Sequence, residues 1–176
     1  MIEFGHFLAW VMYFYNKRSK KKLVSVQKKT ILPITPQTHV RATQGDRWLF
    51  RIQRDKLRPA SYKRLLRLER YNDYKATLKS VARSKHFTLP EQGAHIIFYI
   101  PIPKSWKEYK KKEMHMKLHC QKPDVDNILK SFFDSLFTED KHIGDIRATK
   151  LWVNEPKGRI EILQNIPEFS SQYNLA

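Results

Sequence analysis

Five carboxylates gather in the segment KPDVDNILKSFFDSLFTED, residues 122–140. They are Asp124, Asp126, Asp134, Glu139 and Asp140. The whole chain of 176 residues has 34 Lys and Arg against 17 Asp and Glu, a formal net charge of +17. This excess favours an anionic partner, and nucleic acid is the first candidate because phosphate contacts supply most non-specific affinity. An acidic cluster inside a basic chain therefore indicates a site that holds a cation beside bound nucleic acid.

The spacing of Asp124 and Asp126 can direct both carboxylates to one site. Pro123 disfavours helix at Lys122, so the chain should arrive extended, and residues i and i+2 of an extended segment share a side. Asp126 then stands at or near the N-cap of the next helix, which explains one carboxylate but leaves Asp124 unexplained. Neighbouring carboxylates repel each other unless a cation intervenes. Hard oxygen ligands at this spacing suit Mg²⁺ or Mn²⁺.

A third carboxylate and a lysine extend this pattern. Asp140 could return to the site after the helix and the loop that follows it. Lys130 lies four residues after Asp126, so both side chains project from one helical face. The lysine could neutralise charge that develops on a phosphate, or it could form only an i, i+4 salt bridge worth roughly a few tenths of a kcal/mol. In a chain this basic, the combination predicts a nuclease whose metal activates water and stabilises the transition state.

The elements that position these residues alternate between strands and helices. We predict an extended piece between Pro33 and Pro36, a weak strand over 47–52, a buried strand over 95–103 and a hairpin over 148–163 with its turn at 156–158. A helix capped by Ser61 should bury Leu68, Tyr71, Tyr74, Leu78 and Val81, and a second helix after Asp126 should bury Ile128, Leu129, Phe132, Phe133, Leu136 and Phe137. This order predicts an α+β fold, a single domain with a mixed β-sheet and two main amphipathic helices.

The two ends of the chain lie outside this pattern. We expect an N-terminal extension over 1–30, apolar and then basic, a nuclease domain over 31–165, and a fraying tail over 166–176. The apolar run at 7–15 is too short for a membrane span, which needs about 20 residues, and it lacks the features of a signal peptide. Cys120, the single cysteine, excludes an intrachain disulfide and fits a reducing compartment. We therefore expect no membrane partner and a cytoplasmic location, in the bacterial host cell or associated with its nucleoid.

A strongly basic segment, KSWKEYKKKEMHMKLHCQK, precedes the acidic cluster. It is either a basic helix or a basic loop, and its interleaved aromatic residues favour a DNA-facing surface over a merely solvated one. The expected DNA contacts in and beside it are Lys104, Lys107, Lys110, Lys111, Lys112 and Lys122. Two other residues in this part of the chain, Cys120 and His142, are expected to be a bystander thiol and a surface histidine, because oxygen-rich sites seldom need imidazole.

The acidic segment, followed by EDKHIGDIRATK, resembles the RusA family of Holliday-junction resolvases, crossover junction endodeoxyribonucleases often carried by phages and prophages. FYIPIPKSW and PITPQTHVR also resemble family segments, so the resemblance covers roughly residues 31–165, while the first 30 residues have no counterpart. The residues that carry it are Asp124, Asp126 with Asn127, Lys130, Asp134, and Glu139 with Asp140. His39 and Arg41 lie in one of the similar segments and are expected either to contact phosphate or to be surface residues.

The resemblance implies a homodimer that binds branched DNA, especially four-way junctions, and nicks two strands symmetrically with Mg²⁺ or Mn²⁺. Asp124, Asp126 and Asp140 would be the catalytic metal ligands and Lys130 the essential catalytic lysine. Asn127, Asp134 and Glu139 would have supporting roles. Many members have Asp where this chain has Glu139, which favours Asp140 as the ligand of that pair.

Three other functions stay open at this point. A non-catalytic, architectural DNA-binding protein would use the basic surface and need Asp126 only as a helix cap. A different metal nuclease would act on flaps, other branched DNA or RNA with the same chemistry. A ribosome-associated RNA-binding protein would have no use for Asp124.

Overall fold

The structure is a computed structural model that describes residues 28–90 and 93–164. The predicted tail and the apolar run at 7–15 lie outside these ranges, as does the predicted extension up to residue 27. Four strands form one sheet: β1 (Lys28–Leu32), β2 (Ala94–Pro101), β3 (Ile146–Val153) and β4 (Arg159–Gln164). Four α-helices accompany them in this part of the chain: α1 (Asp46–Leu49), α2 (Pro59–Ser84), α3 (Glu108–Met114) and α4 (Val125–Leu136). The predicted α+β class with a mixed sheet is confirmed.

The sheet has the strand order β1-β4-β2-β3. β2 pairs with β3 in parallel and with β4 antiparallel, and β1 pairs antiparallel with β4. The predicted buried strand is confirmed as β2, which is hydrogen-bonded on both edges. The predicted hairpin is wrong, because β3 and β4 do not pair with each other. The long apolar run of β2 occupies the position between them.

The hydrophobic core lies between one face of the sheet and the two long helices. Ile96 and Phe98 of β2 are fully buried, as are Ile128 and Phe132 of α4. The rings of Phe98 and Phe132 meet edge to face, with centroids 6.2 Å apart. α2 adds the buried side chains Leu65, Leu68, Tyr71, Tyr74, Leu78 and Ala82. Both predicted helices are confirmed, and their apolar stripes contribute to this core. The predicted side chains that are only partly buried are Val81, Leu129, Phe133, Leu136 and Phe137.

Two local predictions differ from the structure. α2 begins at Pro59 with Arg58 as its N-cap residue, not at Ser61, because the fixed φ of proline suits the first helical position. The weak strand predicted over 47–52 is wrong, since residues 46–49 form the short helix α1. Asp46 accepts hydrogen bonds from Thr43 and Arg64, which close a turn that an extended strand could not make. Within residues 28–90 and 93–164, no helix has the length and apolar character needed to cross a membrane.

Candidate active site

The segment that leads to α4 runs beside β3. Met116 N–H donates to the carbonyl of Trp152 at 2.9 Å, and Trp152 N–H donates to the carbonyl of Lys117 at 2.9 Å. Farther along, His119 N–H donates to the carbonyl of Lys150 at 3.0 Å. The His119 ring is buried against the Trp152 ring, with centroids 3.8 Å apart. This burial lowers the pKa of His119, so the imidazole is neutral at physiological pH and serves to pack the loop.

Lys150 fixes the last residues before α4. Its ammonium donates to the carbonyl oxygens of Gln121 at 2.8 Å and of Pro123 at 2.5 Å. One side chain on β3 therefore sets the path of the chain directly before Asp124. Sequence reasoning missed this residue, because Lys150 lies far along the chain from the loop that it holds.

Asp124 and Asp126 stand at the start of α4. Asp124 has extended backbone angles (φ −70°, ψ 150°) and occupies the N-cap position, but its side chain makes no capping hydrogen bond. Asp126 lies near the cap, in the first helical turn. Both side chains are exposed, and within the described ranges neither carboxylate is in an ion pair with a basic side chain. The helix N-terminus therefore presents two carboxylates whose charge no ion pair with the described residues offsets.

Lys130 and Asp134 continue the same face of α4, at i+4 steps from Asp126. The Lys130 ammonium lies 3.5 Å from one Asp134 oxygen, and His39 Nε2 lies 3.1 Å from the other. His39 N–H also donates to the carbonyl of Asn127 at 3.0 Å. The salt bridge that competes with a catalytic role for Lys130 is thus to Asp134, not to Asp126. Asp134 joins the 39–41 segment to α4.

Glu139, Asp140 and His142 follow the other end of α4. Glu139 pairs with Lys141 at 2.6 Å, whereas exposed Asp140 has no ion pair with any described residue. The His142 ring meets the Phe137 ring edge-on at 5.2 Å, so this loop stays near the C-terminal end of the helix. The 12 residues of α4 span about 18 Å.

This separation bears on the third predicted metal ligand. The described residues include no group of three or more His, Cys, Asp or Glu side chains that could hold a metal ion. Asp124 and Asp126 lie at one end of α4 and Asp140 beyond the other. The joint site of these three carboxylates therefore stays a prediction.

The predicted DNA-contacting residues occupy different environments. Lys110 Nζ lies 4.0 Å from the Trp106 ring centroid, and Lys111 pairs with Glu108 at 2.7 Å. Arg41 is exposed, and its carbonyl accepts a hydrogen bond from Arg64 at 2.6 Å. The others that are exposed are Lys104, Lys107, Lys112 and Lys122. Their contacts with DNA stay predictions.

A buried aspartate, Asp46, forms an ion pair that the sequence did not reveal. Its carboxylate accepts hydrogen bonds from Arg64 Nε at 3.0 Å and Nη2 at 2.7 Å, and from Thr43 N–H at 2.7 Å. Hydrogen bonds from the Arg64 guanidinium, followed by that from Thr43, hold the pKa of Asp46 far below its usual range. Asp46 is 8% exposed. The short spacing from Thr43 to Asp46 was the available local signal, but Arg64 is a distant partner.

Known proteins resemble this chain over more than half of its length. The family model described as "Endodeoxyribonuclease RusA" matches residues 50–163, more than half of the chain. A Bacillus subtilis (strain 168) protein, named "Uncharacterized protein YqaN", is 29% identical over 101 residues, which cover 53% of this chain and 70% of that protein. The chain belongs to the RusA family of endodeoxyribonucleases.

Proposed function

We propose that this protein is a divalent-metal-dependent endonuclease that resolves four-way DNA junctions by paired, symmetric nicks in recombination and repair. The observation that carries the proposal is the state of the carboxylates around α4. Asp134 and Glu139 are engaged by basic side chains, whereas Asp124 and Asp126 are exposed at the start of the helix without an ion pair to a described residue. In a member of an endodeoxyribonuclease family, such carboxylates are the best candidates for the catalytic site.

The side chains at this position fit Mg²⁺ or Mn²⁺. Asp124 and Asp126 offer only oxygen ligands, which hard divalent cations prefer. Both are exposed and two residues apart, which leaves room for the water and phosphate oxygens that complete such sites. Asp140 is our proposed third ligand. A bound cation would supply activation of water and stabilisation of negative charge on the reacting phosphate.

The neighbouring residues position this site. Lys150 holds the carbonyls before Asp124, so it fixes where the first carboxylate stands. Asp134 engages the ammonium of Lys130, which lies on the same helical face as Asp126 because the two are four residues apart. From there Lys130 can donate to a phosphate oxygen and offset its developing charge. Asn127 ties α4 to His39 through its backbone carbonyl.

A homodimer would account for paired cleavage. In a two-fold dimer each copy contributes one equivalent site, and a four-way junction offers two equivalent strands. The basic surface would hold the phosphates of the arms, because cations that neutralise phosphates release counterions from DNA. An architectural protein would share this surface but would not need the exposed carboxylates.

The direct test is cleavage of a synthetic mobile four-way junction beside a linear duplex of the same sequence. Each DNA is incubated with Mg²⁺ or with EDTA, using wild type, Asp126→Asn and the matched control Glu139→Gln. We expect paired nicks on the junction with Mg²⁺, no cleavage in EDTA, and loss of cleavage in Asp126→Asn alone. Tight junction binding without cleavage under Mg²⁺ or Mn²⁺ would contradict the proposal and favour an architectural role.

A further inference from the structure

Two large aromatic side chains are exposed at and just after α1, close to α2. Trp48 and Phe50 are 49% and 51% exposed, while Leu49 between them is 4% exposed and packs into the core. A scattered exposed aromatic residue is ordinary. Trp48 and Phe50 differ because they flank Leu49, whose burial in the core fixes the backbone that carries both exposed side chains.

The polar network around Asp46 holds this backbone in place. Asp46 begins α1, and its carboxylate binds the Arg64 guanidinium on α2. The same guanidinium donates to the carbonyl of Arg41 at 2.6 Å. Trp48 is therefore carried on a short helix that is fastened to α2 by hydrogen bonds from a charged group, the stronger class of hydrogen bond.

A row of cations lines a depression that adjoins the one containing Trp48. One shallow depression of about 340 Å³ is lined by Trp48 together with Ala60 and Arg64, among others. A second, of about 540 Å³, is lined by Ala60, Lys63, Arg64, Leu66, Arg67 and Arg70. The two depressions share Ala60 and Arg64, so they form one continuous surface, which we call the α1–α2 corner.

The charge of the α1–α2 corner is not balanced from within the described part of the chain. Arg64 is paired with Asp46, but none of the salt bridges among residues 28–90 and 93–164 involves Lys63, Arg67 or Arg70. These three recur at i, i+4 and i+7, so they share one face of α2. The row is about 10 Å long at 1.5 Å per residue, the reach of about three successive phosphates of one strand.

We propose that the α1–α2 corner binds DNA at a branch point, with Trp48 stacked on an unpaired base and Lys63, Arg67 and Arg70 on the neighbouring phosphates. This inference rests on the proposed function and names a contact surface for its substrate. Aromatic platforms beside cations are how proteins bind unpaired strands, because every base has a face for stacking. An uncompensated cationic row disfavours a neutral or basic partner and complements a polyanion. Most of the DNA contacts predicted from sequence lie on and around α3, which lines neither depression. Arg41, whose carbonyl accepts a hydrogen bond from Arg64, is the predicted contact that lies at the corner.

The aromatic part of the proposal is tested by binding in EDTA, which separates binding from cleavage. The DNAs are a four-way junction, a duplex with a central unpaired gap, and a fully paired duplex, each labelled with a fluorophore. We expect Trp48→Ala to weaken binding to the first two by about tenfold and to leave the paired duplex within about twofold. Trp48→Phe should restore most of the affinity, whereas Trp48→Leu, which keeps apolar bulk without an aromatic face, should not.

The cationic part is tested by the salt dependence of binding to the same junction. The triple variant Lys63→Gln, Arg67→Gln, Arg70→Gln removes the row, and the single variant Arg67→Gln guards against a folding defect in the triple. Three exposed lysines elsewhere provide a charge-matched control: Lys28→Gln, Lys85→Gln, Lys157→Gln. Because each phosphate contact contributes about −0.9 to the slope of log K against log salt, we expect the triple to flatten the slope by about 2 to 3 and the single by about 1. The control should change it by less than about 1.

The outcomes distinguish this inference from the proposed function. If the α1–α2 corner variants and the control shift slope and affinity equally, or if Trp48→Leu binds like wild type, the inference is wrong even when the wild type cuts junctions. If Trp48→Ala changes only the oligomeric state in ultracentrifugation, the surface is a contact between copies. If the wild type binds junctions through the α1–α2 corner but never cuts them, the inference stands and the proposed nuclease fails.

Discussion

Asp46 and Asp126 are two aspartates at the beginnings of helices, and their surroundings are opposite. Asp46 is buried and surrounded by donors from Thr43 and Arg64. Asp126 is exposed in the first turn of α4, and no salt bridge joins it to another described residue. The charge of Asp46 is neutralised by the ion pair that joins α1 to α2, whereas the charge of Asp126 remains available to an external cation. In this basic chain, the carboxylates without a basic partner among the described residues therefore indicate function better than the number of carboxylates does.

The largest effect should come from removing the available charge. Asp126→Asn keeps the size of the side chain and removes a metal ligand, so we expect junction cleavage to fall by about a thousandfold or more, equivalent to several kcal/mol of transition-state stabilisation. Because Asp126 has no ion pair with a described residue and a carboxylate in the first helical turn contributes less than about 1 kcal/mol, the melting temperature should stay within about 3 °C of wild type. Cleavage rates test the expected loss of activity, and melting followed by circular dichroism tests the expected stability. A large fall in melting temperature would instead place Asp126 among the structural acids.

A smaller loss should follow when the support of the site is weakened. Lys150→Met keeps the length of the side chain but removes the donor to the carbonyls of Gln121 and Pro123. The approach to Asp124 then loses its anchor, and we expect cleavage to fall by about 10- to 100-fold, the range seen when groups that orient metal ligands are removed. Single-turnover cleavage measures the fall in the rate of the chemical step. Lys157→Met, on an exposed lysine, serves as the control and should cut at the wild-type rate.

The opposite pattern is expected for the structural aspartate. Asp46→Asn loses the ion pair with Arg64, so the melting temperature should fall by several degrees while cleavage below that temperature changes by less than about threefold. Because folding lowers the pKa of Asp46, its stabilisation is complete above the ordinary carboxyl pKa of about 4 and is lost as the pH falls below it.

The pH dependence sharpens this prediction. The difference in melting temperature between wild type and Asp46→Asn should be constant from neutral pH down to about 5 and should narrow below about 4. Calorimetry across this range measures it. A difference that widens in acid would show that Asp46 does not stabilise the fold as a carboxylate.

The smallest effect should come from an acid that is already paired. Glu139 is exposed and its partner is Lys141, so Glu139→Gln should change cleavage by less than about twofold and stability by less than about 1 kcal/mol. Cleavage and denaturant unfolding measure the two quantities. A loss as large as that of Asp126→Asn would move the metal ligand of this pair from Asp140 to Glu139.

The parts of the fold that follow from periodicity could be predicted. The apolar stripes of α2 and α4 and the continuous apolar run of β2 indicate which faces are buried, because burial follows the period of each element. Pairing could not be predicted, since β3 and β4 look like a hairpin until β2 is found between them. The strand predicted over 47–52 is wrong because the ion pair of Asp46 with Arg64 overrides a weak alternation.

In the candidate site, too, local features could be predicted from the sequence and contacts between distant segments could not. The spacing of Asp124, Asp126 and Lys130 is local. It predicted Asp124 in the extended segment before the helix and Asp126 and Lys130 on one helical face, as the structure has them. Lys150 was missed, because its contacts depend on the loop that follows α3 lying along β3. The position of Asp140 depends on a loop path that residue spacing does not determine.

If the exposed carboxylates at the start of α4 hold a divalent cation, direct measurement of Mn²⁺ binding will show it without reference to activity. Isothermal titration compares wild type, Asp124→Asn, Asp126→Asn and Asp140→Asn with Asp46→Asn and Glu139→Gln as controls. We predict that each of the first three variants weakens Mn²⁺ binding by about tenfold or more and that both controls bind like wild type. If Asp126→Asn binds Mn²⁺ as tightly as wild type, the carboxylates at the start of α4 do not form the metal site.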